Sequence, residues 1–176
     1  MNEENFFIYH YVGASEIKDA VASFPSGTII KSVEVLKQWL DRNKQKYDVN
    51  AAIVATFIIN LDGYLCLADR HSEHVACSGG KGVLSAGEIF ISHIKNKYEV
   101  IEISNQSTGF CPQLESWYWV AKALNRISLS HPGRFTIEFI FRRCTRCSQL
   151  NIVKDDLFTC EVCKASLPKF WNCDLS

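Results

Sequence analysis

The 176-residue sequence predicts an α+β fold, an antiparallel hairpin-rich sheet with two or three helices, followed by a small C-terminal unit with four cysteines. Three observations carry this. Asp62-Gly63 separates two apolar runs, a strong short-range hairpin signal. Apolar residues recur at helical spacing around 35–40 and 114–124. Cys144, Cys147, Cys160 and Cys163 form two pairs, each with two residues between its cysteines. Helices, then hairpins, then a helix and a strand do not show the strand–helix alternation of a parallel sheet.

Phe6–Val12 is aromatic and β-branched and reads as an opening strand ended by Gly13. Ser15 and Glu16 open a short helix reaching about Ser23, and Pro25-Ser26-Gly27 is a turn. Ser32 caps a helix whose apolar stripe is Val35, Leu36, Trp39 and Leu40, with Lys37, Arg42, Lys44 and Lys46 off the stripe. Asp41–Asn50 is hydrophilic and reads as a linker or surface loop. Ala51–Asn60 with Tyr64–Asp69 forms one hairpin, and Val83–Ile91 with Tyr98–Ser104 a second, joined by Lys95-Asn96-Lys97. Pro112 opens a helix from about Gln113 to Arg126, placing Leu114, Trp117, Val120, Ala121 and Leu124 on one face. His131-Pro132-Gly133 then turns into a strand over Phe135–Arg142.

Composition narrows the function classes. Nineteen basic residues balance nineteen acidic ones, and the balance holds locally: six and seven in 1–50, nine and eight in 51–143, four and four in 144–176. No long-range field draws the chain to nucleic acid or an anionic membrane. Met1-Asn2-Glu3-Glu4-Asn5 lacks the basic start of a secretory signal. The longest apolar stretch, Ala51–Ile59, is far short of the roughly 20 residues that span a bilayer. These features predict a cytoplasmic protein with no membrane partner, in which eight cysteines serve metal binding more readily than disulfides.

Two residues between paired cysteines let both thiolates face one ion, and two such knuckles supply four soft ligands for a tetrahedral Zn2+. Cys144, Cys147, Cys160 and Cys163 are the predicted ligands, and the twelve intervening residues suffice for a hairpin with Asp155-Asp156 at its tip. The segment resembles a zinc ribbon, with Ser148 and Lys164 where a glycine often follows each knuckle. The predicted division is 1–143 as the α+β domain, 144–168 as the ribbon and 169–176 as a tail. A four-cysteine site is closed to water and implies a structural role. Cys173 is a possible substitute ligand, while Cys66, Cys77 and Cys111 read as small core residues.

Polar clusters follow two apolar strands: Asp69-Arg70-His71-Ser72-Glu73-His74 with Ser78-Gly79-Gly80-Lys81-Gly82, and Ser104-Asn105-Gln106-Ser107-Thr108-Gly109. Loops on a rigid scaffold are where ligand groups gather. The predicted binding residues are therefore Arg70, His71, Glu73, His74, Asn105, Ser107 and Thr108, with the 69–82 and 104–112 turns meeting in one pocket. Other chemistries compete for these residues: a second metal at His71 and His74 if the segment turns, a Cys77 or Cys111 nucleophile with a histidine base, and a phosphate cradle at Gly79–Gly82. Glu88, on a strand face with Leu84 and Ala86, is expected to be buried against Arg70 or His74.

Two further resemblances bear on this centre. Arg70, Ser107-Thr108-Gly109 and Glu138 resemble the arginine–serine–glutamate set of ADP-ribosyltransferases, which implies that Arg70 and Ser107 hold a dinucleotide and Glu138 stabilises a ribosyl cation. Residues 60–130 resemble a segment of plant calmodulin-binding IQ-motif proteins and related bacterial toxin-like proteins, through His74, Gly79-Gly80, Ala86-Gly87 and Ser107-Thr108-Gly109-Phe110-Cys111-Pro112; this implies a fold unit and no reaction. Three function classes follow. The preferred one is a zinc-containing module that binds a small molecule or protein partner. The alternative is a small transferase using Arg70, Ser107 and Glu138. The third is nucleic-acid binding through the ribbon, which the charge balance does not favour. The sequence names no reaction.

Overall fold

The computed structural model describes residues 7–43, 52–94 and 97–174. The order of elements is α1 (Ser15–Ala20), β1 (Thr28–Ile30), α2 (Val33–Arg42), β2 (Ala52–Ile59), β3 (Leu65–Asp69), α3 (His74–Cys77), β4 (Ser85–Ile94), β5 (Lys97–Ile103), a 3-10 turn (Leu114–Ser116), α4 (Trp117–Arg126), β6 (Ile140–Arg143) and β7 (Leu150–Val153). Five strands form an antiparallel sheet in the order β1-β3-β2-β4-β5, and β6 and β7 form a second, two-stranded sheet. The α+β expectation therefore holds. No helix among the described residues is long and apolar enough to cross a membrane.

The central strand explains the layering. All eight residues of β2 are buried, so both faces of the sheet must be covered. On one face Ile53, Ala55, Phe57 and Ile59 join Leu65, Leu67, Ile89, Ile91 and Ile103, covered by α2 and α4. A ten-residue helix is marginal alone. What holds α2 is the cap, in which Ser32 Oγ accepts from the Val35 N–H, and the burial of Leu36, Trp39 and Leu40. α4 contributes Val120, Ala123 and Leu124, with Leu114 and Trp117 packed at its start. On the opposite face Ile58, Cys66 and Ala86 meet Tyr9, Val75, Cys77, Val83 and Phe110. This second layer has little regular structure. It is made of the N-terminal segment, α3 and the 107–112 turn.

Gly63 (φ 74°) completes the β2–β3 hairpin turn, where Asn60 Oδ1 accepts from the Asp62 and Tyr64 N–H groups. Gly87 has a different reason. A Cβ there would overlap the Ser104 carbonyl oxygen, so only glycine lets the end of β5 pass this close to β4.

Several expected elements differ. The Phe6–Val12 strand is reduced to one bridge, Tyr9 to Val83, closed by two hydrogen bonds of 2.8 and 2.9 Å; its aromatic rings anchor the second layer instead of pairing in the sheet. Phe6 lies outside the described residues. The first helix ends at Ala20, three residues early, with none of its residues buried. Asp41 and Arg42 belong to α2 and not to a loop; 44–50, with Lys44 and Lys46, lies outside the described residues. The Phe135–Arg142 strand shrinks to Ile140–Arg143 because the preceding backbone makes no continuous ladder: the Phe139 N–H bonds to the Asn105 side chain at Oδ1 and the Thr136 N–H to the carbonyl of Ile103 at the very end of β5, each at 2.8 Å. β1, three residues long, and α3, four residues long, were not expected. With α3 there are four α-helices among the described residues.

Gly87→Ala is predicted to destabilise the protein by about 2 kcal/mol or more, the overpacking cost of a Cβ forced against backbone. Urea denaturation measures it, and a change below about 0.5 kcal/mol would contradict the close approach.

Candidate metal centre and polar cavity

The four ligand cysteines converge. Their sulfurs all lie within 4.8 Å of one another, with Cys144 Sγ 3.5 Å from Cys163 Sγ and Cys147 Sγ 3.6 Å from Cys160 Sγ. A tetrahedron of thiolates about 2.3 Å from a zinc ion has edges of about 3.8 Å. The donor set and its spacing thus fit a tetrahedral metal ion.

The two knuckles repeat one geometry. In the first, the Ser148 N–H donates to the Cys144 carbonyl at 2.9 Å and the Cys144 N–H to the Gln149 carbonyl at 2.8 Å; in the second, Lys164 bonds to Cys160 at 3.0 Å and Cys160 to Ala165 at 2.8 Å. Ser148 and Lys164 both sit at φ 60°, so each knuckle keeps the left-handed turn that glycine would favour, at a cost on the order of 1 kcal/mol for each. Backbone N–H groups of Cys147 and Arg146 favour the Cys144 thiolate. Those of Cys163 and Val162 draw the Cys160 thiol down to about 6. At Cys147 the Gln149 N–H acts in the same sense, but desolvation and the crowding thiols outweigh it and push that thiol up to about 12. Four thiols this close do not all ionise unless a cation sits between them.

Asp155 (φ 51°) and Asp156 (φ 56°) make the hairpin tip expected between the knuckles, closed by the Lys154–Leu157 bridge. Sequence reasoning missed Asn151. It is buried on β7 and donates from Nδ2 to the Gln149 carbonyl at 2.8 Å, with Cys160 Sγ at 3.7 Å, while its Oδ1 accepts from the Glu161 N–H at 2.9 Å. One side chain thereby ties both knuckles together. Only the spacing of an asparagine between two pairs could have suggested it. Cys173 is not a fifth ligand: it is buried with Cys111 and Phe141, a cluster apart from the one holding Cys144 and Cys160.

Of the five basic residues from Arg142 to Lys164, four are engaged within the fold and Arg146 is exposed. Arg142 donates to the carbonyls of Phe141, Pro168 and Lys169, and Arg143 to those of Ser148 and Cys173. Lys154 pairs with Glu161 at 3.5 Å, and Lys164 Nζ donates to the Glu161 carbonyl at 2.7 Å.

The second site lies in the layer with little regular secondary structure. The 69–82 segment turns sharply: Asp69 Oδ1 accepts from the His71 N–H, the Ser72 N–H donates to the Asp69 carbonyl, and α3 follows. Gly79 (φ 63°) and Gly80 (φ 77°) terminate α3, their N–H groups donating to Ala76 and Val75 carbonyls at 2.9 Å. Those N–H groups are therefore committed, which corrects the phosphate-cradle reading. His74 Nε2 lies 3.0 Å from the Gly87 carbonyl oxygen; since a carbonyl only accepts, this nitrogen carries the proton. Gly87 in turn packs on Ser104-Asn105. This junction joins the two polar turns. Glu73, His74 and Val75 of one and Thr108 and Gly109 of the other line a single cavity of about 220 Å³ with Tyr11, Gly13, Ala14 and Ile17.

The other predicted site residues are placed differently. Arg70 and His71 are exposed at the turn and do not line that cavity. Asn105 is fully buried and saturated: Nδ2 donates to the Pro112 and Phe139 carbonyls and Oδ1 accepts from the Phe139 N–H, all at 2.8 Å. Its role is to hold the 104–112 turn against the approach to β6. Ser107 is buried with its Oγ unpartnered, whereas Glu138 is exposed and precedes β6 instead of lying in a strand. Glu88 is half-buried opposite Thr56 and, among the described residues, pairs with neither Arg70 nor His74. Leu84 and Ala86 lie on opposite faces, so the alternation assumed for 84–88 breaks where the chain enters β4. Among the described residues the four cysteines are the only cluster suited to a metal, so His71 and His74 form no second one. Burial raises the Cys66 and Cys77 thiols to about 11 and about 12, as expected of inert core cysteines.

Burial holds the His74 pKa below its usual 6.5, against a smaller opposing effect of the Gly87 bond. The unfolded chain therefore binds a proton near pH 6.5 that the folded chain refuses, and stability falls as pH drops through and below 6.5. His74→Gln is predicted to lose stability relative to wild type at pH 7.5, with the gap narrowing towards pH 5.5. Paired denaturation curves test this: His131, also lowered by burial, and the metal ligands titrate in both proteins and cancel. A constant gap would contradict it. Asn151→Ala is predicted to weaken metal binding about 10- to 100-fold by chelator competition, the usual effect of losing an outer support to ligands; unchanged affinity would deny it that role.

Compared with family models, curated proteins and solved structures, the chain matches none, so the likeness of residues 60–130 to the IQ-motif segment rests on its local motifs alone.

Proposed function

We propose that this protein is a non-catalytic binding module, held together at its C-terminal end by one structural Zn2+ on Cys144, Cys147, Cys160 and Cys163, and binding a small cationic group in the Glu73–Thr108 cavity. The observation that carries the reading is the His74–Gly87–Ser104 junction, which brings the two polar turns around one cavity with a carboxylate in its wall.

The character of the cavity supports a cationic guest. Glu73 is a lining residue, no lysine or arginine is, and the one histidine is kept neutral by burial. Burial first, then the Glu73 and Glu16 carboxylates, hold the Tyr11 hydroxyl above its usual range, the sign of a negative field across the site. Tyr11 also lines the cavity, and an aromatic ring beside a bound cation attracts it. At about 220 Å³ the cavity is below the roughly 300–1,000 Å³ of ordinary small-molecule pockets, which suits an ammonium-bearing side chain or head group better than a dinucleotide.

Zinc fits the ribbon because four thiolates at tetrahedral spacing leave no open position for a water, so the ion supplies cross-linking and not hydrolysis. Elemental analysis of natively purified protein is predicted to give one zinc per chain; iron, or no stoichiometric metal, would overturn the assignment. For the cavity, titration with n-butylammonium and with butyrate at equal ionic strength should shift the Glu73 and Thr108 amide resonances only with the cation, and Glu73→Gln should reduce the affinity about tenfold. Equal responses to both ions, or none, would remove the cavity from the account.

A further inference from the structure

Outside the metal centre, Cys111 and Cys173 are both free, fully buried and packed in one small cluster with Phe141. Trp171 packs against the same cluster. Sixty-two positions separate them, and each belongs to a different structural unit. Cys111 ends the 107–112 turn beside the polar cavity. Cys173 lies in the segment that fastens the ribbon, where Asn172 and Arg143 exchange two hydrogen bonds of 2.9 and 2.8 Å.

Three features distinguish this pair from Cys66 and Cys77, the other buried neighbours. Cys111 is held at φ 50°, a left-handed conformation uncommon outside glycine that clusters at functional sites. Arg143 stands beside the thiols, donating from Nη2 to the Cys173 carbonyl at 3.2 Å, and its Nε is buried with no hydrogen-bond partner. A guanidinium so placed favours a thiolate. Finally, Trp171 Nε1 donates to the Cys111 carbonyl at 2.8 Å, so the two segments are already aligned by hydrogen bonds that do not involve sulfur. Phe141 and Trp171, which pack on the pair, also line a cavity of about 210 Å³.

We infer that Cys111 and Cys173 are a redox-active dithiol that closes to an intrachain disulfide by exchange with a low-molecular-weight disulfide, fastening the ribbon's return segment to the turn beside the cavity. The step balances without any other reagent. The Cys173 thiolate, the more acidic of the two, attacks one sulfur of oxidised glutathione and expels one glutathione; Cys111 then attacks the Cys173 sulfur of the mixed disulfide, passing its proton to the second glutathione as that departs. Both thiol protons leave on the two glutathiones, which are reduced as the pair is oxidised. The ligand cysteines are protected by their metal, and burial pushes the Cys66 and Cys77 thiols up with no neighbouring guanidinium to offset it, as Arg143 does at Cys111 and Cys173.

The test equilibrates the zinc-loaded full chain with oxidised glutathione overnight, then alkylates under denaturing conditions and maps the peptides. The expected product is a Cys111–Cys173 cross-link with Cys66, Cys77 and the four ligands recovered as alkylated thiols, zinc retained, and Tm raised by about 5 °C or more. The cross-link should vanish in Cys173→Ala and persist in Cys77→Ala. Absence of the cross-link, a lasting glutathione adduct on Cys173 in its place, or disulfides among the ligand cysteines with 111 and 173 still reduced would each overturn the inference.

Discussion

Complete burial of β2 is the constraint from which the rest of the structure follows. A strand whose eight side chains are all hidden must be covered on both faces, yet among the described residues only two helices, α2 and α4, are substantial, and both pack on one face. The other face is closed by irregular chain: Tyr9 and Tyr11, the short α3, Phe110 and Trp171. Irregular chain over an apolar sheet has backbone groups that the sheet does not satisfy. They are satisfied one by one, by the Tyr9–Val83 bridge, the Asn105 amide, the His74 ring and the Trp171 indole. The polar residues that look like site residues in the sequence are mostly these fasteners, and the cavity is the space left between them.

The ribbon is tied into the same layer. β6 begins one residue after Phe139, whose N–H is held by Asn105 Oδ1, and its Phe141 packs on Cys111 and Cys173. Arg143, at the end of β6, holds Asn172 and the Cys173 carbonyl; one residue later Cys144 opens the first knuckle. A metal ion held by Cys144 would thus act through a few residues on the turn beside the cavity. Small units of this kind have almost no apolar core, and metal binding contributes most of their folding free energy. Cys144, Cys160 and Leu167, with the polar Asn151, are the ribbon's buried residues.

The hairpins were legible because Asp62-Gly63 and the alternating runs encode them locally, and α2 because Ser32 and a four-residue stripe do the same. The ligand cysteines were legible because spacing alone brings thiols to one ion. What was not legible depended on partners distant in sequence. β1 exists only because Thr28–Ile30 pairs with Leu65–Leu67. The strand expected over Phe135–Arg142 has strand-forming residues but meets a side chain, Asn105, where a neighbouring strand would be. Asn105 itself reads as a loop ligand until its three hydrogen bonds are counted, and Glu88 was misplaced because alternation fails at the entry to β4. Glu73, His74 and Thr108 do meet in one cavity, whereas Arg70 and His71 stay outside it.

The central claim is a division of labour: the sheet is stabilised by its own two-sided burial, while the metal holds the ribbon and, through it, the turn next to the cavity. Amide hydrogen exchange of the full chain, with metal and after chelation, measures this residue by residue. The account predicts that chelation strips protection from 144–167, lowers it partly at 107–112, and leaves the amides of Ala52–Ile59 protected at the level of global unfolding. Loss of protection across β2 on chelation, or a ribbon that stays protected without its metal, would contradict it.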